Sequence, residues 1–307
     1  MNQSKFSLAD VLTVLSALSF GFVCFLSANF YTLGNTKQSI LLSVIITVLM
    51  GVTALGAKFL KRTSRNFKTS FKWEMILLVL FTGLTFFFAY SPFPHYFVVS
   101  GQKTVIQGKL IATITQAENM FSEYERYAEN RETLYKNILR SVVTAKSINS
   151  REYAKYGFVN NTIADDKQIE NKMFTVHADL FPSNFKEMKT ADSTWLTDAR
   201  SIVEKWKRIS IVRIVNEVEL NSNDWLDKLV KLSAIRENGE QASDFDYKLS
   251  FDDVKKHFTT LGKPTPLSIG LAILAYMLML FSYLISKRST KTTVGTIKGK
   301  GDFDIEY

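Results

Sequence analysis

The sequence predicts an all-α polytopic membrane protein: four transmembrane helices plus an extracytoplasmic helical domain that begins with a long membrane-proximal helix. Three observations indicate this fold class. The chain has four apolar runs, a polar region of about 165 residues between the third and fourth runs, and a helical periodicity that opens this region. Composition alone is ambiguous, because 46% hydrophobic residues and a mean hydropathy of +0.01 also suit a soluble protein.

The four apolar runs define the predicted spans. A transmembrane helix needs about 20 mainly apolar residues, and each run is close to that length. The spans are predicted at residues 11–30, 40–57, 75–98 and 265–286, so that three of them lie within residues 11–99. The third span is expected to end at the outer interface with its aromatic residues among the head groups, because Pro92 and Pro94 cannot continue a regular helix.

A cleaved signal peptide is the alternative interpretation of the first span. The apolar run is long for a signal peptide, only Lys5 precedes it, and Ser27-Ala28-Asn29 is a poor cleavage site. We therefore interpret it as an uncleaved span. The single cysteine, Cys24, lies inside this span, so no disulfide is expected in the domain outside the membrane.

Lysine and arginine near the span ends predict the orientation, because such residues accumulate in cytoplasmic segments. They cluster after the second and fourth spans, at Lys58, Lys61, Arg62, Arg65, Lys68, Lys72, Lys287 and Arg288. We therefore expect both termini in the cytoplasm. The predicted segments are a cytoplasmic N-terminus (1–10), a cytoplasmic loop (58–72), an extracytoplasmic domain (100–264) and a cytoplasmic tail (287–307).

The net charge of +9 follows from this topology. Between Lys103 and Lys263 there are 25 basic and 24 acidic residues, so the excess of positive charge lies in the membrane flanks and the tail. Basic flanks favour anionic lipid head groups as partners. A nucleic-acid-binding domain would need a basic face, and the balanced composition of the domain does not predict one.

The stretch 105–145 is predicted to form one long helix, because its apolar residues recur three and four positions apart. At about 1.5 Å per residue, such a helix is about 60 Å long. Its apolar stripe is three positions wide, which is typical of a helix in a bundle, and Arg131 interrupts it. We expect this face to pack in the bundle or against a partner: Ile114, Ala117, Phe121, Tyr124, Ala128, Tyr135, Ile138 and Val142.

The rest of the polar region predicts further helices, so that the whole domain is expected to have four or five. We expect a short helix over 165–180, a helix capped by Asp192 or Ser193, and a helix that begins with a capping box at 250–253. Residues 209–220 suit a buried helix or a strand, and helix is favoured. A separate helix is expected to begin at Asn221-Ser222-Asn223.

No candidate for chemistry emerges from the sequence. The three histidines, His95, His177 and His257, are widely separated, and there is no phosphate-binding loop, HExxH or GxSxG motif. Nucleophilic and metal catalysis need convergent His, Cys and carboxylate groups. The protein is therefore not expected to be an enzyme, and no catalytic residue, metal ligand or cofactor is predicted.

Three functional hypotheses remain. A transporter should carry ionisable residues near mid-membrane, but the centres of the spans hold only Ser, Thr, Gly and Cys24, with Asp10 at the inner edge. A sensor with a ligand-binding helical domain would need a separate signalling partner, because the tail is short. The favoured hypothesis is a structural subunit that assembles, as a homo- or hetero-oligomer, with other proteins of an envelope complex.

Three features stand out in the layout of the chain: the basic loop AKFLKRTSR at 57–65, the aromatic segment FAYSPFPHY at 88–96, and a domain held between spans three and four. By these features, the chain resembles the TssN family, an inner-membrane component of the subtype iii type VI secretion system of Bacteroidota. The resemblance implies a bacterial inner-membrane protein whose domain lies in the periplasm. The resemblance implies a protein that anchors a secretion machine and contacts other membrane-complex subunits and the baseplate. It carries over no catalytic residues.

Overall fold

A computed structural model describes residues 7–63 and 67–288, except for the side chains of residues 67 and 68. Within these residues the chain is all-helical, with no strand. The helices are α1 (Leu8–Tyr31), α2 (Thr36–Arg62), α3 (Phe67–Tyr90), α4 (Phe93–Gly101), α5 (Lys103–Thr144), α6 (Ser150–Lys155), α7 (Asp165–Leu180), α8 (Phe185–Glu204), α9 (Ser210–Ala234), α10 (Asp252–Thr259) and α11 (Pro266–Ile285).

The chain divides into two compact units. The first, which we call the membrane unit, comprises residues up to Gln102 and from Phe258 onward, and the second, the helical unit, comprises Lys103–His257. Four helical segments of the membrane unit are long and apolar enough to cross a membrane, which confirms the predicted number: Leu8–Tyr31, Thr36–Arg62, Thr69–Gly101 and Pro266–Ile285.

The helices of the membrane unit pack around an apolar core to which α1, α2, α3, α4 and α11 all contribute. Its fully buried side chains include Phe20, Cys24, Met50 and Phe81. Helices α1 and α2 approach closely at Gly21, where an added Cβ atom would lie 1.9 Å from Thr47 Oγ1. Small residues permit such close approach between membrane helices, where van der Waals packing replaces the hydrophobic effect as the driving force.

Pro92, which has no backbone N–H to donate, lies between α3 and α4. The chain nevertheless resumes a helix directly, with Pro94 in its first turn, where a missing N–H costs nothing. The prediction that the aromatic residues here lie among head groups is wrong for Phe93 and His95. Both are buried, and the Phe93 ring stacks on Phe20 at 4.6 Å.

The helical unit is built on α5, whose 42 residues confirm the predicted long helix. Helices α7, α8 and α9 pack against it, and the apolar residues of the four helices form one core. Helix α5 ends at Thr144, and the short helix α6 follows at Ser150.

Two predicted helix starts in this unit are wrong. Asp192 and Ser193 lie inside α8, which begins at Phe185, so neither can be a cap. Asn221-Ser222-Asn223 lies inside α9, because the buried helical spacing continues from Val218 through Ser222 to Leu229 without a break. The ambiguous stretch 209–220 is part of the same helix, which confirms the favoured alternative. The helix predicted over 165–180 is also confirmed.

Candidate functional sites

The predicted bundle or partner face of α5 lies in the core of the helical unit. Seven of its eight residues are at most 7% exposed, and Ile138 is partly buried against the same core. Phe121 packs edge-on against Phe185 with ring centroids 5.7 Å apart. This face packs against the chain's own helices, so a partner would have to use another surface.

Two tyrosines of this face donate hydrogen bonds to backbone carbonyls of other segments. The Tyr124 hydroxyl donates to Leu180 O and the Tyr135 hydroxyl to Asn238 O, each at 3.1 Å. Burial raises the pKa of both hydroxyls, so they remain protonated donors at neutral pH. They fix the end of α7 and the segment after α9 to α5 without adding charge to the core.

Arg131, the residue that interrupts the apolar stripe, forms a buried ion pair with Glu240. Its Nε donates to Glu240 Oε1 at 2.5 Å and its Nη2 to Oε2 at 2.9 Å, with side chains only 4% and 2% exposed. Further bonds run to Ser233 O at 2.7 Å and to Ile235 O. Burial alone would raise the pKa of Glu240, but hydrogen bonds from Arg131 and the Glu237 N–H outweigh it and leave that pKa lowered.

A cleft of about 550 Å³ opens beside this ion pair. One wall is α5 between Glu123 and Ile138, and the other is the non-helical segment between Glu240 and Tyr247, which we call the wall segment. The buried residues Arg131, Tyr135 and Phe245 lie at its base. Its rim is formed by exposed side chains: Arg126, Asn130, Leu134, Gln241, Ser243, Asp244 and Asp246.

A second polar network joins three helices of the membrane unit through Asp10. This carboxylate, near the start of α1, accepts bonds from Lys58 on α2 and from the Ser282 hydroxyl on α11. Its other oxygen accepts from the Ser7 N–H at 2.9 Å and the Ser7 hydroxyl at 3.0 Å. Asp10 is 4% exposed and Lys58 7%, so the pair is buried. Sequence analysis named Lys58 as a marker of orientation and Asp10 as an ionisable residue at the inner edge of a span, but it did not predict that the two pair.

Glu74 forms a related network at the same ends of α2, α3 and α11. Its Oε1 accepts from the Tyr283 hydroxyl at 2.7 Å and from Arg288 at 2.6 Å. Lys61 donates to Tyr283 O at 2.8 Å and lies 4.2 Å from the centre of its ring. Glu74 is fully buried, and its Oε2 has no hydrogen-bond partner in the described part of the chain.

Sequence reasoning missed Glu74. The available signal was a pair of opposite charges at two span ends: Glu74 at the start of the third apolar run and Arg288 after the fourth.

The other basic residues used to predict the orientation are distributed differently. Arg62, Lys72 and Lys287 are exposed, in contrast to Lys58. The side chains of Arg65 and Lys68 lie outside the described residues. These three side chains are therefore accessible on the surface, whereas Lys58 and Lys61 hold helices together.

Asp192 is a buried carboxyl in α8. It is 2% exposed, and its Oδ1 has no hydrogen-bond partner among the described residues. Burial, reinforced by the charge of Glu118, raises its pKa to about 7. Glu118 itself binds Arg200 at 2.5 Å, which leaves Arg200 engaged elsewhere. The helical unit thus contains one acid that titrates near neutral pH.

The histidines have separate environments. His95 Nε2 lies 2.7 Å from Phe258 O, and His177 Nδ1 lies 2.8 Å from Glu132 Oε1 on the surface. Among the described residues, no group of three or more His, Cys, Asp and Glu side chains is arranged to hold a metal ion. The polar groups brought together here instead join helices and line the cleft.

No protein-family model, curated protein or solved structure matches this chain.

Proposed function

We propose that this protein is an assembly subunit of a bacterial envelope-spanning machine, which anchors a periplasmic helical domain to the inner membrane. The observation that carries the proposal is how the helical unit is attached. It is inserted between the third and fourth candidate spans, and both connections are short: one residue separates α4 from α5, and residues 260–265 separate α10 from α11. A domain attached twice by short connections is restrained more tightly than one on a single long linker.

The polar networks of the membrane unit support the same function. Buried charges are costly in a membrane-spanning helix, and they persist where they pair with one another. Here they connect α11, the second attachment of the helical unit, to α1 and α3. Such contacts favour a membrane anchor with a defined helix arrangement. The layout-level resemblance to TssN makes a type VI secretion complex the machine we propose.

The orientation belongs to the proposal as well. With both termini in the cytoplasm, the exposed Arg62, Lys72 and Lys287 would face anionic lipid head groups, and the helical unit would face other envelope proteins. We propose that the protein works as a homo- or hetero-oligomer in that setting.

A membrane sensor is the second candidate, favoured by the cleft beside Arg131. A concave site of about 550 Å³ with polar and aromatic walls has the size of many ligand sites. A sensor would bind a small molecule there and pass the signal to a separate cytoplasmic partner.

Affinity purification of the tagged full-length protein in mild detergent from its native host tests the proposal. Mass spectrometry should identify other envelope and baseplate subunits in a defined ratio, which an untagged host does not yield. Recovery of the protein alone, or with a signalling kinase as sole companion, would contradict the assembly function.

A further inference from the structure

The cleft remains accessible although the apolar face of α5 is buried. We propose that it binds a basic, partly apolar segment of a partner protein. This inference rests on the proposed assembly function, since it names the surface through which one partner is held.

The dimensions of the cleft favour a chain segment. Its lining follows α5 from Glu123 to Ile138, which is about 22 Å at the helical rise of about 1.5 Å per residue. An extended segment advances about 3.3 Å per residue, so six or seven residues would span this length. A single small ion would occupy only a fraction of it.

The charges of the cleft favour a cationic partner. Four carboxylates line it, on Glu123, Glu240, Asp244 and Asp246, against the guanidinium groups of Arg126 and Arg131. Both arginines are already engaged, Arg131 by Glu240 and Arg126 by Glu123, and Asp244 is paired with Arg236. Asp246 is exposed and has no ionic partner within the described chain. The charge left available to a ligand is therefore negative.

Aromatic rings lie beside these carboxylates. Phe245 and Tyr247 are nearly parallel, with centroids 5.9 Å apart, and Tyr127 lies 5.6 Å from Phe245. A lysine or arginine over such rings gains a cation–π attraction in addition to its ionic contact. The carboxylates and the aromatic rings together should bind a lysine or arginine side chain more tightly than either kind of group alone.

The α5 wall also carries an apolar surface beside its polar residues. Leu134 is 65% exposed on α5, one turn before the partly buried Ile138. A large apolar side chain next to the basic one would cover this exposed surface. The partner segment should therefore combine lysine or arginine with a neighbouring leucine-like residue.

The backbone of the wall segment can take part as well. Between Gln241 and Tyr247 it makes no backbone-to-backbone hydrogen bond among the described residues, but three of its backbone groups bind side chains. The Phe245 N–H donates to Ser233 Oγ at 2.8 Å, Ala242 O accepts from Arg236, and Ser243 O accepts from the Tyr127 hydroxyl. The other backbone groups of the segment can bind the backbone of an added strand. A peptide can pair with both N–H and C=O groups, whereas a metal ion or an amine can bind only the carbonyl oxygens.

Fluorescence anisotropy on the full-length protein in non-ionic detergent tests the inference. The probes are three labelled peptides of equal length, built from Lys-Leu, Glu-Leu and Lys-Ser repeats. The variants are Asp246→Lys and Leu134→Glu, with Asp227→Lys, an exposed aspartate on α9 away from the cleft, as the matched control. Empty micelles measure binding to the detergent.

We expect the Lys-Leu peptide to bind wild type and the Asp227→Lys control about tenfold more tightly than it binds either cleft variant. The Glu-Leu and Lys-Ser peptides should bind wild type weakly. Their affinity should be no higher than that of the Lys-Leu peptide for the two cleft variants. Equal binding of basic and acidic peptides, or no effect of Asp246→Lys, would overturn the inference. So would displacement of the Lys-Leu peptide by micromolar spermidine, which would identify a small-amine site.

The same variants in the native-host purification separate this inference from the proposed function. Envelope subunits recovered equally with wild type and Asp246→Lys, together with absent peptide binding, would reject the cleft and leave the assembly function standing. Specific peptide binding without any recovered subunit would reject the assembly function and leave the cleft as a binding site.

Discussion

Both units of the protein bury ion pairs, and these pairs differ in how completely their polar atoms are bonded. In the helical unit, Arg131 and Glu240 bind each other through two bonds, and each also binds the backbone. In the membrane unit, Asp10 has partners on both oxygens, whereas Glu74 uses one oxygen twice and leaves the other without a partner in the described chain.

The difference shows two uses of buried charge. The Arg131 guanidinium donates to carbonyls at the end of α9 and just after it, so it fixes the path of the chain that leads into the wall segment. Asp10 and Glu74 bind side chains of other helices and therefore select which helix ends meet. A buried charge destabilises the folded state most when its partner is removed. The loss of stability on substitution should therefore depend on which charges the substitution leaves unpaired.

The largest effect is expected for Arg131→Met. Removing the guanidinium leaves Glu240 buried without a cation, which destabilises a protein by about 3–5 kcal/mol. Denaturant unfolding of the full-length protein in detergent, followed by tryptophan fluorescence, measures the loss. Three of the four tryptophans lie in the helical unit, which makes the signal specific: Trp195, Trp206 and Trp225.

The double variant Arg131→Met, Glu240→Gln is the matched control for this pair. Neutralising both partners removes the unpaired charge, so about 2 kcal/mol or more of the loss should return. A double variant as unstable as the single one would mean that the backbone bonds of Arg131, and not its charge, hold the segment.

Asp192→Asn extends the comparison to a buried acid that has no cation. The folded state raises the pKa of this carboxyl from 3.8 to about 7, so it binds more protons than the unfolded state between these values. The contribution of Asp192 to stability is therefore fully present below pH 3.8 and falls as pH rises to about 7. Asparagine should stabilise the protein above pH 7 by about 2–4 kcal/mol and change little at pH 4.

The control for this prediction is Asp198→Asn, which removes an exposed aspartate from the same helix. Between pH 4 and pH 8, the unfolding free energy should depend on pH in the same way for wild type and this control. In Asp192→Asn, the decrease in unfolding free energy that Asp192 causes with rising pH should be absent. Parallel curves for all three proteins would show that Asp192 does not titrate in the folded state in this range.

Periodicity predicted the fold where residues close in sequence determine it, but not the pairs that join distant segments. The stripe of α5 and the four spans follow from local apolar spacing, and Arg131 was recognised as an interruption. Its partner Glu240 lies 109 residues away, and no local pattern specifies such a pairing. The same holds for Asp10 and Ser282, which are 272 residues apart. The cap predicted at Asn221 was wrong because polar residues inside a long helix imitate a helix start.

The smallest losses of stability are expected in the membrane unit. There Asp10→Asn should destabilise the protein more than Glu74→Gln. Asparagine leaves Lys58, which is 9% exposed at its side chain, without a counter-charge, at a cost of about 2 kcal/mol. Glutamine at position 74 keeps an acceptor for the Tyr283 hydroxyl. Arg288 can remain hydrated, because 33% of its side chain is exposed. The loss of stability should therefore be about 1 kcal/mol or less. Unfolding in mixed SDS micelles gives both values. An equal or larger loss for Glu74→Gln would show that Oε2 has a partner essential to the bundle, and that both carboxylates are fully paired like Glu240.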